Sequence, residues 1–401
     1  MIKKQNLLVI ARDMYPPFRV DVTELFNAEL ARHITLTWVM RSGGVESFKR
    51  DSDDVSYIIS GGRGRLGRTL NWAILIARQC FRLQSYSMIQ CRDLILGGAF
   101  VGIASIICKK KFFYWMSFPI EQGYLHQAEQ NRAQGHFFSW FVKKVIGTSG
   151  KFLLKYVTLP LASHVFVQSE IMKLDVAKSF GVPLQKLTAV PMGVSKAHFV
   201  SARSSEGLRS SAASKTVVYV GTLDSARQMD VVARAVASFI SSIDEEWTFL
   251  LIGKASAAER AVVTTAFSEH ASPERLVFID QLPFTQMLVH VSQADICVAT
   301  YPVYPELLRS ATPTKLIEYV SMGKRIVANS HPDHDYVLSQ VTLGVITEFD
   351  ADKLAEGLQE ARRLGEPSDE DKDFAFDWVC RNREYSLLGA RVLAVYKKYS
   401  I

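Results

Sequence analysis

The chain reads as an α/β protein made of two doubly wound, parallel-sheet domains, and three observations predict it. Its 401 residues exceed what a single core of ordinary size organises. Apolar runs of strand length alternate with stretches of helical period along the whole chain, the pattern of parallel strands joined by covering helices. At 201–215 the composition changes: SARSSEGLRSSAASK is serine-rich with one large apolar residue, which reads as an interdomain linker.

Each element follows from its pattern. Asn6–Ala11 is a continuous apolar run of strand length, followed by a Pro-Pro loop, an amphipathic stretch over Asp21–His33 and an alternating run over Ile34–Met40. The rhythm continues with a strand at Val55–Ser60, a helix at Leu66–Leu83, a strand at Tyr86–Cys91, a buried helix at Leu94–Cys108 and a strand at Phe112–Ser117. His164–Gln168, a helix over Glu170–Phe180 and Leu187–Pro191 complete the first half. The second half offers strands at Thr216–Val220, Phe249–Ile252, Leu276–Ile279, Ile296–Ala299, Arg325–Ala328 and Val345–Thr347, then helical period over Asp371–Ser400. The expected organisation is a first domain over 1–200, the linker, a second domain over 216–370 and a helical segment over 371–401.

The formal charge of +7 conceals an asymmetry. Residues 1–200 hold 26 Lys/Arg against 13 Asp/Glu, and residues 201–401 hold 21 against 27, so the first half is near +13 and the second near −6. A basic first half predicts contact with an anionic surface. No aromatic-basic signature of an RNA or DNA module accompanies it, which excludes nucleic acid as the expected partner. Five scattered cysteines without a CxxC pair read as reduced thiols of a cytosolic protein. Leu7–Ile10 is too short for the core of a signal peptide, and Leu94–Cys108 falls short of a membrane span.

The most informative segment is ATPTKLIEYVSMGKRIVAN, Ala311–Asn329. Thr312 is placed to cap a helix with Pro313 at its first position, leaving the amides of Thr314, Lys315 and Leu316 free at the positive end of the helix dipole. Lys315 adds a mobile cation, and Glu318, one turn on, is placed to accept two vicinal hydroxyls. A phosphate beside a ribose fits this spacing; the alternative is an ordinary αβ unit that stops at Gly323. Val217–Asp224 is a strand running into Gly221 and Thr222, where a doubly wound sheet presents its ligand crevice. Arg227, six residues after Gly221, by itself reads either as a solvated turn residue or as a guanidinium able to grip a diphosphate bidentately beside Lys315.

These segments resemble the donor-sugar motif of the GT-B glycosyltransferases, particularly retaining family 4 (glycosyl transferases group 1), where Pro-Thr-Lys-Leu-x-Glu-Tyr and Met-Gly-Lys recur. Ser163–Val194 is similar to the stretch that ends the first domain of that family, with Met192 in place of the usual asparagine. The resemblance implies two Rossmann-like domains facing a central cleft and a C-terminal helix crossing back to the first. It also implies a nucleoside-diphosphate-sugar donor bound by Gly221, Thr222, Arg227, Thr314, Lys315, Leu316 and Glu318, with Arg227, Lys315 and Glu318 serving catalysis. That donor is substrate; no cofactor and no metal are expected. The sequence departs from the family at Pro16–Val20, which lacks a glycine-rich loop, and at Ser310, where the first of two spaced glutamates usually stands. The histidine that usually contacts the transferred sugar is also missing: its strand here ends Trp115-Met116-Ser117-Phe118-Pro119. Arg19, Asp93, Ser117 and Glu121 are the polar groups expected on the acceptor or sugar side.

Two metal-like patterns carry less. Asp51-Ser-Asp53 stands in a polar stretch, and His331-Pro-Asp-His334-Asp is interrupted by Pro332, which suggests a surface loop. Over Phe137–Leu159, Lys144, Lys151 and Lys155 align on one side at helical spacing while Phe138, Phe141, Val145, Phe152 and Tyr156 gather on another. This predicts either a helix lying on an anionic membrane face or an amphipathic helix packed on the sheet, with Gly147 and Gly150 weakening it. The resulting expectation is a cytoplasmic enzyme, peripheral on the inner face of the membrane, that transfers a sugar to a lipid-linked or saccharide acceptor in glycan assembly. Two alternatives stay open: a catalytically silent GT-B scaffold subunit, and a nucleotide-sugar epimerase or hydrolase.

Overall fold

The computed structural model describes residues 4–42, 46–62, 64–203, 215–302 and 306–399. Two compact units emerge, one formed by the chain up to Pro191 with the segment from Tyr385 onward, the other by Met192–Glu384. The boundary thus falls at 191/192, ahead of the serine-rich stretch. Lys196–Arg203 is a helix whose Phe199 joins the core of the second unit, and 204–214 lies outside the described residues.

The first unit holds eight strands: β1 (Gln5–Met14), β2 (Ile34–Arg41), β3 (Ser47–Arg50), β4 (Val55–Ser60), β5 (Met88–Arg92), β6 (Lys111–Met116), β7 (His164–Val167) and β8 (Leu187–Ala189). Their order is β3-β4-β2-β1-β5-β6-β7-β8, parallel except for the β3–β4 hairpin. Asp51–Asp53 forms the exposed turn of that hairpin, which the sequence reading missed because β3 is short, exposed and without alternation. The order reverses between β1 and β5, so a crevice opens at their C-terminal ends. Successive residues of β1 serve opposite faces: Leu7, Val9 and Ala11 join one core cluster, Leu8 and Ile10 the other.

The Asp21–Glu29 segment is a π-helix rather than a regular α-helix. It packs with the last helix, Tyr385–Tyr399, whose Tyr385, Leu388, Val392 and Tyr396 share a core cluster with Leu25 and Phe26. The stretch read as one helical segment over 371–401 is two helices: Asp369–Asn382 lies in the second unit, and Tyr385–Tyr399 in the first.

The second unit has β9 (Lys215–Val220), β10 (Trp247–Ile252), β11 (Leu276–Ile279), β12 (Ile296–Ala299), β13 (Arg325–Asn329) and β14 (Gly344–Thr347). All pairs are parallel in the order β11-β10-β9-β12-β13-β14, with the reversal between β9 and β12.

Within the first unit, the buried Tyr396 hydroxyl donates to Gln90 Oε1 at 2.6 Å. Tyr396→Phe strips that buried amide of its donor, and urea unfolding is expected to show a loss of about 1–3 kcal/mol.

Candidate donor site and the charged crevice of the first unit

The β9/β12 reversal is where the predicted donor residues meet. The Thr314–Ser321 helix begins beside it, but its capping differs from the sequence reading. Pro313 occupies the N-cap position with extended backbone (ψ 128°), and no side chain caps the helix. The Thr312 hydroxyl instead accepts the Met192 N–H at 3.0 Å, tying the start of the unit to this turn. Thr314 is half-buried and Lys315 and Leu316 are buried, Leu316 with its side chain in the core.

Lys315 is not a mobile cation. Its ammonium lies 3.7 Å from the centre of the Tyr219 ring and donates to Thr300 O at 3.4 Å, so it sits between the ends of β9 and β12. A methyl group on Gly221 would stand 3.4 Å from Lys315 Nζ. Burial, with repulsion from Arg227, lowers the Lys315 pKa well below the usual lysine range, against attraction by Glu318 and Asp224. Burial raises Glu318 to about 7, and Lys315 opposes the rise. Among the described residues no donor holds the Glu318 carboxyl.

Arg227 closes a short helical turn, Ser225–Arg227. Nη1 reaches both Asp224 oxygens at 3.3 Å, and the guanidinium lies 5.4 Å from the Tyr301 ring centre. The clamp is therefore a buried Lys315 and a partly neutralised Arg227, rather than two open cations. Thr222 is exposed at the same loop.

Three supporting groups escaped the sequence reading. Gly253 follows β10 as Gly221 follows β9, and a Cβ there would lie 1.9 Å from Gly221 O, so only glycine lets the two loops touch. Asn329, last residue of β13, accepts the Tyr301 N–H at 2.7 Å and donates to Tyr301 O at 2.9 Å. Tyr319 Oη accepts the Val220 N–H at 2.8 Å, pinning the end of β9 to the Lys315 helix. The repeated strand-then-glycine pattern was a usable signal for Gly253; the side-chain clamps had none.

Ser310 is buried at the end of the short Glu306–Ser310 helix. The His331–Asp335 stretch is no surface loop: Pro332–Leu338 is a helix with Pro332 in its first turn, and His331 caps it by accepting the Asp333 N–H at 3.2 Å. His331 and His334 are both buried, bonded to Leu308 O at 3.1 Å and Asn329 O at 2.9 Å. Among the described residues no cluster of three or more His, Cys, Asp or Glu is placed to hold a metal ion. A cavity of about 410 Å³ with Lys215, Asp295 and Arg325 in its lining lies at the opposite, N-terminal ends of these strands.

In the first unit Arg19, Asp93 and Ser117 join one network. Arg92, fully buried, pairs with Asp21, with Asp13 at 3.4 Å and with Asp93 at 3.9 Å. Arg19 reaches Asp21 at 3.2 Å. Burial works to raise the Asp21 carboxyl, but Arg92 and Arg19 outweigh it and hold it at about 2. Asp93, at φ 52°, accepts the Ser117 N–H at 2.8 Å and also bonds its hydroxyl. Glu121 stands apart, 1% exposed beneath Gly147 and Gly150 of the Phe137–Leu153 helix.

The fold is that of GT-B glycosyltransferase structures, with two parallel-sheet Rossmann-like units. Residues 214–362 match the family model of the Glycosyl transferases group 1. Comparison with curated proteins finds no significant sequence match. Among solved structures, the chain is similar to a sucrose-phosphate synthase from Thermosynechococcus elongatus (TM-score 0.70, 15% identity, 99% of both chains). It is also similar to a UDP-forming α,α-trehalose-phosphate synthase from Burkholderia vietnamiensis (0.69, 11%, 98% of this chain and 100% of that one). A third, Anabaena HepE in complex with UDP and glucose, gives 0.66 at 13% identity over 98% and 99%.

Both Glu121 oxygens lack a hydrogen-bond partner, and burial raises the carboxyl to about 7. A group that holds its proton more tightly folded than unfolded contributes stability below its unfolded value of 4.5 and loses it as pH rises through 7. Glu121→Gln is therefore expected to stabilise the protein by roughly 2–3 kcal/mol at pH 8, and far less at pH 5, in urea unfolding.

Proposed function

We propose that the chain is a glycosyltransferase that takes a sugar from a nucleoside-diphosphate-sugar held by the second unit and transfers it to a saccharide or lipid-linked acceptor. One observation carries the reading: Gly221, the buried Lys315 ammonium, the uncapped start of the Thr314–Ser321 helix and Glu318 converge at the β9/β12 reversal of the unit that matches the glycosyltransferase family. The diphosphate takes the place beside Lys315 and Arg227, and the ribose hydroxyls donate to Glu318. As the C1–O bond to the diphosphate breaks, negative charge grows on that oxygen, where Lys315, Arg227 and the helix amides stabilise it. The acceptor hydroxyl bonds to C1 and gives its proton to the departing diphosphate oxygen, on the donor's own face. In this reading the leaving group needs no metal, because fixed cations meet its charge. UDP, the nucleotide of the HepE complex, is the first donor nucleotide to try.

Lys315→Met and Arg227→Ala are each expected to lower sugar transfer or release from the donor by a factor of about 10² or more. Lys315→Met should leave the thermal midpoint unchanged or raised, since it removes a buried charge. Retained turnover in both variants, measured with labelled donor, refutes the reading. A nucleoside-diphosphate screen by thermal shift identifies the base, because stabilisation grows with saturation.

The same proposal places the protein on an anionic cytoplasmic membrane face. The Phe137–Leu153 helix buries its glycines against the Ile120–Ala133 helix and turns its aromatics outward, with Phe138 83% and Phe141 59% exposed. Phe152 and Tyr156 extend the face, and Leu96 and Phe100 of the neighbouring Ile95–Ile107 helix are exposed as well. This observation favours the membrane reading over a helix that packs its apolar side on the sheet. Among the described residues no helix is long and apolar enough to cross a membrane. Sedimentation with phosphatidylglycerol vesicles is expected to exceed that with phosphatidylcholine. It should fall about fivefold for each of Lys144, Lys151 and Lys155 changed to Gln, and vanish in Phe138→Asp/Phe141→Asp.

A further inference from the structure

A cavity of about 460 Å³ opens in the first unit, walled by helices from three parts of the chain. Trp72 and Ile76 form one side, Ile95 and Phe100 a second, Ile146 and Leu153 a third. Its lining is mostly apolar, with Thr69, Asp93, Tyr124 and Ser149 among its polar members, and it includes Arg12 and Arg41 from the C-terminal ends of β1 and β2. These guanidiniums differ from Arg19 and Arg92, which pair with carboxylates. Arg41 donates to Arg12 O at 2.9 Å, lies 5.9 Å from the Trp72 ring centre, and leaves its Nε buried without a partner. Among the described residues, no carboxylate pairs with either. Asp13 is committed to Arg92 and Arg19. Asp93, which also borders the cavity, has both oxygens engaged by Ser117. Burial and the charge of Arg12 lower the Arg41 pKa, Tyr124 and Asp13 oppose the fall, and Arg68 adds to it.

We propose that this cavity binds a hydrocarbon chain that carries a phosphate at its end, with the phosphate between Arg12 and Arg41 and the chain among the apolar walls. The chemistry matches part by part. Two neighbouring guanidiniums recognise phosphate oxygens through fork-shaped hydrogen bonds, and a mostly apolar cavity of this size suits a chain rather than a sugar. The walls also show how the chain arrives. Leu96, Phe100 and Ile146 line the cavity and are 74%, 51% and 39% exposed on the aromatic face described above, so apolar surface runs unbroken from outside to inside. The ligand is then the anchor of the acceptor, an inference that rests on the glycosyltransferase reading and names the chemical class on which the acceptor sugar is carried.

Trp72 supplies the readout. Farnesyl phosphate, farnesol and inorganic phosphate are titrated into the full chain below their aggregation limits, following tryptophan fluorescence and checking stoichiometry by native mass spectrometry. Farnesyl phosphate is expected to bind saturably, one per chain, at least about tenfold tighter than farnesol, and inorganic phosphate to compete weakly. Arg12→Gln/Arg41→Gln should bring farnesyl phosphate and farnesol to within about threefold of each other. Ala73→Phe, which adds bulk at a lining position that is exposed, should weaken both. Equal binding of alcohol and phosphate by the unaltered chain, or no saturable binding, overturns the inference. Nucleoside-diphosphate binding is measured on the same samples: its retention with failed farnesyl phosphate binding refutes the lipid site alone, and its loss with intact lipid binding refutes the donor reading alone.

Discussion

The second unit is organised around one buried ammonium. Taking Lys315 out of water is costly, and what meets it is a tyrosine face at 3.7 Å, a carbonyl at 3.4 Å and Glu318, a carboxyl that burial itself pushes toward neutrality. Arg227 adds repulsion. Together these leave the cation under-compensated, and a diphosphate is the group that would complete it. A dianion beside Lys315 restores its proton affinity and strengthens every interaction within the low-dielectric seat. In the proposed donor seat Lys315 takes up a proton on binding and Glu318 gives one up, so the two groups tie affinity to pH in opposite directions.

That seat exists because backbone approaches backbone. Gly221 (φ 146°) and Gly253 (φ 154°) end neighbouring strands, and the Gly221 N–H donates to Ile252 O at 2.9 Å. With no side chains between them, the loops lie low over the sheet and leave the space above Tyr219 to the lysine. Asn329 and Tyr319 do the same work with side chains, fixing Tyr301 under Arg227 and Val220 beside the helix. Asn329 and Tyr319 are themselves held by these hydrogen bonds, so the loop ends they fix are set before a ligand arrives.

Much of this was legible in the sequence. The helix over Glu170–Phe180 and the strands at Leu276–Ile279 and Ile296–Ala299 carry strong local patterns, and the structure reproduces their bounds. The meeting of Gly221 with Lys315 followed from the rule that parallel sheets bind ligands at their strand ends. What was not legible depended on tertiary partners. Thr312 has the chemistry of a helix cap, yet its hydroxyl is taken by Met192, a residue 120 positions away. Pro332 was read as a breaker although proline suits a first helical turn. Gly147 and Gly150 read as weak points, but they form the seam against Leu125 and Glu121 that lets the helix turn its aromatics outward. Arg12 and Arg41 are separated by 29 residues, and only the parallel pairing of β1 with β2 makes them neighbours.

Counting counter-charges separates two kinds of cation in this molecule. Arg92 is surrounded by Asp13, Asp21 and Asp93, and Arg383 is matched to Asp333, so removing an acid there would strand a charge. Buried Lys315, half-buried Arg41 and exposed Arg12 lack such carboxylate pairs, and each stands near the C-terminal end of a sheet, where a doubly wound fold presents its crevice. A protein gains no stability by burying a cation without its partner, so the arrangement makes physical sense where the partner is a ligand. By that argument Arg92 in the first unit and Arg383 in the second are structural cations, and the proposed anion sites are those beside Lys315 and at Arg12 and Arg41.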